Sequence, residues 1–74
     1  MKINMDREVL EGWTVRDFID YMEPLIDEIM LDRSLHKPFV TKTQMAMFVT
    51  SNQPGYKKKI PEVIEYFAER YCLQ

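Results

Sequence analysis

The longest regular pattern of apolar positions runs through Val15, Phe18, Ile19, Met22, Leu25, Ile26, Ile29 and Met30, spaced by threes and fours. That spacing keeps one face of a helix apolar and predicts an amphipathic helix over 15–31. Its start is marked as well: Thr14 can cap the first free amides, Asp17 stands where a capping box needs a carboxylate, and Trp13 and Phe18 have the spacing of a hydrophobic staple. Pro24 lies inside the pattern, where a proline costs about 3 kcal/mol and disfavours helical geometry at the preceding residue. The apolar register nevertheless passes through it unshifted. The expectation is one helix kinked at Pro24, with two shorter helices as the alternative.

A second helix is predicted over 42–51. Thr41 and Gln44 form a capping box, and Val40 and Met45 have staple spacing. Met45, Phe48 and Val49 share a face, and the polar end Thr50-Ser51-Asn52-Gln53 leads into a Pro54-Gly55 turn. The third helix, 61–72, opens on Pro61, whose missing N–H is harmless at the first helical position, with Glu62 placed to complement the helix dipole. Ile60, Val63, Ile64, Phe67, Ala68 and Tyr71 form its stripe. Residues 1–12 fit either a short strand or a helical turn ended by Gly12, and are expected to be mostly irregular. The fold class is therefore mainly α: one small domain over 1–74, a bundle of about three helices with an irregular or short-strand N-terminal arm.

At 74 residues a single core only just offsets the entropy lost on folding, so every large apolar residue is expected to have a packing role, and a homodimer is within reach. No apolar run approaches the roughly 20 residues that span a bilayer, and the N-terminus lacks the basic and apolar regions of a secretory signal. A cytoplasmic protein with no membrane partner is expected. Cys72 is the single cysteine, which rules out an internal disulfide and suggests a packed thiol without special chemistry.

The net charge of −2 conceals a division along the chain. Residues 1–32 carry nine acids against three bases, whereas 33–59 contain six bases (Arg33, Lys37, Lys42, Lys57, Lys58, Lys59) and no acid. Catalysis finds little to work with: one histidine, His36, and one cysteine lie on different elements, and two glycines cannot make a phosphate-binding fingerprint. No cofactor is expected. The acids Asp20, Glu23, Asp27 and Glu28 on the first helix are the nearest thing to a cation site, but they are expected on its solvated side, with Arg16 pairing to Asp20 one turn on.

Two roles remain. A basic segment can neutralise phosphates, and Lys42, Tyr56, Lys57, Lys58 and Lys59 are the candidate nucleic-acid contacts, the tyrosine adding a ring that stacks. The second and third helices resemble a helix-turn-helix in outline. Their connection of about nine residues exceeds the usual three or four, and the third helix opens with Pro-Glu-Val-Ile-Glu, which offers acids where base-reading helices offer Arg, Asn, Gln or Ser. Contact through this segment would therefore be to the backbone. The other role is protein binding, for which the acidic first-helix face and marginal apolar residues are the candidates: Asp20, Tyr21, Asp27, Glu28 and Met47, with Tyr66 also at the margin of its stripe.

At "EGWTVRDF" (11–18) and "NQPGYKKKIPEVIEYFAERY" (52–71) the chain resembles short uncharacterised proteins encoded by phages and prophages of Gram-positive bacteria. The resemblance spans most of the chain and brings no site residue with it. It implies expression in a bacterial cytoplasm during phage growth or lysogeny, and a task such as binding DNA as an accessory factor or binding and inhibiting a host protein. The expectation is a small non-enzymatic protein of phage type that binds a host or phage protein, with DNA binding as the alternative.

Overall fold

The computed structural model describes residues 3–31, 39–55 and 57–74. In chain order these form strands β1 (Glu8–Leu10) and β2 (Trp13–Thr14), then helices α1 (Val15–Met30), α2 (Lys42–Asn52) and α3 (Pro61–Arg70). The expected mainly α architecture is present, with the arm resolved as a hairpin.

β1 and β2 pair antiparallel, with Leu10 opposite Trp13 and Glu8 opposite Thr14, and the register shifts between Glu8 and Leu10. Gly12 lies at φ +80° in the connection, a conformation that glycine adopts without steric penalty. Gly12 thus closes a hairpin, where a helical turn had been the other expectation. The arm also has a role at the start of α1. Backbone N–H groups of Val15 and Arg16 donate to the carbonyls of Arg7 and Met5, both at 2.9 Å. Thr14 Oγ1 accepts from the Asp17 amide, and Asp17 Oδ2 accepts from the Thr14 amide at 2.8 Å, completing the capping box. Three of the first amides of α1, which have no partner within the helix, are satisfied in this way.

The Trp13 and Phe18 rings lie 5.2 Å apart, as the staple required. α1 is a single helix with Pro24 inside it. Pro24 is exposed, so the amide lost at this position lies on the solvent side, away from the core. The helix ends at Met30, and Leu31 is its C-cap, donating to Asp27 O.

α2 carries its capping box from Thr41 and Gln44. Its apolar anchor is different from the one expected: Val40 is 54% exposed, whereas Phe39 is buried with its ring 5.1 Å from that of Phe48. α2 extends to Asn52, whose side-chain amide donates to Phe48 O at 2.8 Å, one turn back in the same helix. The polar end is not wholly solvated either. Gln53 is buried, and its Nε2 donates to Lys58 O at 2.8 Å.

α3 stops two residues short of its expected end, for a visible reason. Cys72 adopts φ +55°, its N–H donates to Glu69 O, and the Leu73 N–H donates to Ala68 O at 2.8 Å. This is a Schellman turn, with Leu73 and Ala68 both buried as its apolar pair. Cys72 itself is exposed, which corrects the expectation of a packed thiol: the left-handed turn sends Leu73 inward in its place. Gln74 then bonds on both sides to the chain before α2, donating to Val40 O at 3.2 Å and accepting from Lys42 N at 2.8 Å.

The core draws Val15, Phe18, Ile19, Met22 and Ile26 from α1, Met45 and Val49 from α2, and Ile60, Val63, Phe67 and Ala68 from α3, together with Phe39 and Leu73. No described helix is long and apolar enough to cross a membrane.

Candidate functional site

The outer side of α1 is the first candidate surface. Leu25, expected in the core stripe, is 41% exposed, and Tyr21, one turn earlier, is 47% exposed. At about 100° per residue Leu25 falls at the margin of the stripe, where the core no longer covers it. Tyr21, Leu25 and Glu28 stand at i, i+4 and i+7 and form one row, with Glu28 exposed; Asp20 and Pro24, also exposed, form the neighbouring row. Trp13 meets Tyr21 edge-on with ring centroids 6.2 Å apart, so one flank of the tyrosine is held by the hairpin. Leu31 continues the apolar character at the C-terminal end of the helix.

The four acids grouped by the sequence are divided by the fold. Glu23 and Asp27 turn towards α3. Tyr66 OH donates to Glu23 Oε2 at 2.8 Å, and Arg70 Nη2 donates to Asp27 Oδ2 at 3.1 Å while its Nη1 lies 3.7 Å from Glu23. The hydrogen bond to Glu23, aided by burial, pushes the Tyr66 hydroxyl above its ordinary value. Asp27 therefore serves the α1–α3 contact, and Tyr66 is half-buried in the same contact. Arg16 pairs with Asp6 of the arm at 3.6 Å, in place of the expected Asp20. Among the described residues, Asp20 and Glu28 have no cation within ion-pair distance. The same residues contain no group of three His, Cys, Asp or Glu side chains that could hold a metal ion.

The second candidate surface is an open groove of about 360 Å³ between α2 and α3. Ala46, Pro61 and Ile64 supply its apolar lining, with Thr43 beside them and Lys42, Lys59 and Glu65 as the charged groups. Two of the candidate phosphate contacts, 17 positions apart in sequence, thus share one groove. They differ in their charge balance. Lys42 Nζ bonds to Glu65 Oε1, whereas Lys59 has no carboxylate within reach among the described residues. Lys57 and Lys58 are exposed on the loop that leads to Lys59. The backbone of that loop is held by the Gln53 side chain on Lys58 O and by the buried Ile60. Tyr56, Arg33, Lys37 and His36 lie outside the described residues.

Met47, 64% exposed, is not part of the groove lining but stands one helical turn after Thr43, which is. One further ion pair joins distant parts of the chain: Arg7 Nη2 donates to Glu62 Oε1 at 2.9 Å and Nε donates to the other oxygen. The guanidinium holds the Glu62 carboxyl below its usual range.

The sequence did not reveal Leu25 or the groove. For Leu25 the available signal was its marginal position on the wheel; for the groove there was none, because Ala46 and Ile64 read as ordinary stripe residues. Comparisons with protein-family models, with curated proteins and with solved structures find no match to this chain.

Proposed function

We propose that this is a non-enzymatic binding protein of phage type, acting in the bacterial cytoplasm, and that it engages a host or phage protein through the outer side of α1. The observation that carries this reading is the exposed Tyr21–Leu25 pair in one row with Glu28 and beside Asp20. Aromatic and aliphatic side chains at helical spacing are what a helix lays into an apolar groove of a partner, and the flanking acids suit a partner whose groove is rimmed by Lys or Arg. Glu23 and Asp27 are occupied within the fold, so the acids left for a partner are those flanking the apolar row. Tyr21 is partly ordered by Trp13, which lowers the entropy lost when it is fixed in an interface.

The test is capture of proteins from a bacterial lysate on the immobilised wild type and on a Leu25→Lys variant. A protein held by the wild type and lost from Leu25→Lys supports the reading; a protein held equally by both refutes it. DNA binding is the second reading, favoured by the three exposed lysines 57–59. With about three phosphates contacted, its affinity would fall with a log–log salt slope near −3, and Lys→Gln at all three positions would abolish it.

A further inference from the structure

We propose that the α2–α3 groove receives the outer side of α1 from a second copy of this chain, so that the protein associates head to tail. The inference rests on the reading of α1 as a protein-binding surface and names a partner for it. The two surfaces are complementary in chemistry. The groove joins an apolar lining of Ala46, Pro61 and Ile64 to one ammonium group, that of Lys59, whose charge is not balanced by a described carboxylate. The α1 side joins an apolar pair, Tyr21 and Leu25, to a carboxylate in the same row, that of Glu28. Seating the pair on the lining would bring Glu28, the carboxylate of the same row, to the lysine rim.

The two surfaces do not meet within one copy. α3 turns Tyr66 and Arg70 towards α1, whereas Pro61, Ile64 and Glu65 line the groove on another side of the same helix. Both surfaces are therefore open at once, and the contact must be made between molecules. Because the face and the groove lie on different sides of the molecule, a copy seated in one leaves the other open, and the interface is heterologous: association continues until a ring closes or the chain is left open. Area sets the strength. A standard specific interface takes about 800 Å² from each partner, so two such patches would use about a third of the described 5037 Å²; a seat of three apolar residues with one charge pair falls short of that size, and the contact is weak and charge-assisted. Screening by salt should loosen it.

Sedimentation of the full chain from about 10 μM to about 1 mM at low salt provides the test. The wild-type mass should rise from the monomer value of 8.9 kDa and pass that of a dimer. Glu28→Lys and Lys59→Glu alone should each remain monomeric, since each keeps only half of the contact. Mixed in equal amounts they should associate past the dimer as the wild type does, because one junction keeps Glu28 on Lys59 and the other pairs the two reversed charges. A mixture that stays monomeric, single variants that associate like the wild type, or a wild type that stops at the dimer would each overturn the proposal. So would a wild type that is monomeric throughout; in that case the α1 reading still stands or falls by the Leu25→Lys capture.

Discussion

Replacing Cys72 by glycine should make the protein more stable. The residue occupies the left-handed position after α3 at φ +55°, with its side chain exposed. An L-residue in the left-handed helical region carries about 1–2 kcal/mol of steric cost that glycine does not. Against this, glycine gives the unfolded chain more freedom, a loss of about 0.4–1 kcal/mol. The exposed thiol contributes little packing to be lost, so the net gain is about 0.5–1 kcal/mol. For a domain of this size that corresponds to roughly 2–8 °C in Tm. Urea and thermal unfolding followed by circular dichroism, with reductant present, would measure it. A Cys72→Val variant sharpens the test, because branching at Cβ makes the left-handed region worse and should lower Tm. The turn matters beyond its own energy: it directs Leu73 into the core and sets Gln74 against Val40 and Lys42, at the rim of the groove. A Cys72→Gly protein that is no more stable than the wild type would refute the reasoning, and with it the Schellman turn as the device that ends α3.

Two further outcomes follow from the groups that join distant parts of the chain. Gln53→Ala removes a buried donor from Lys58 O and should destabilise the protein by about 1–2 kcal/mol in urea unfolding, with faster amide exchange at Lys58–Ile60; exchange unchanged there would argue against a clamp on the lysine loop. The Glu62 carboxyl is depressed in the folded state by the Arg7 guanidinium, so its contribution is present above the ordinary value of 4.5 and is lost as pH falls through the lower, folded value. Wild-type stability should therefore drop more steeply than that of Glu62→Gln as the pH is lowered from about 5 towards 3, and parallel curves would count against the pairing.

How much of this was legible beforehand varies from element to element. The starts of α1 and α2 were readable because a capping box is a local device, complete within four residues, and Thr14–Asp17 and Thr41–Gln44 both form it. Pro61 opened α3 for the same kind of reason. The candidate surfaces were legible only in part. Tyr21, Met47, Asp20, Glu28 and the lysines were identified as outward-facing from their positions, yet Asp27 and Glu23 looked equivalent to the other acids and were drawn into the α1–α3 contact.

The sequence by itself determined the periodic stripes, the capping boxes that begin α1 and α2, the proline that opens α3 and the separation of charge along the chain, all of which depend on neighbours within a few residues. Tertiary structure decided what depends on which helix lies beside which. It chose Phe39 over Val40 as the anchor before α2, left Leu25 exposed at the margin of its stripe, and brought Lys42 and Lys59 to one groove. The physical reason is that burial and charge balance are properties of a packed neighbourhood, and a stripe eight residues wide on a 16-residue helix offers more apolar surface than a core of this size can cover.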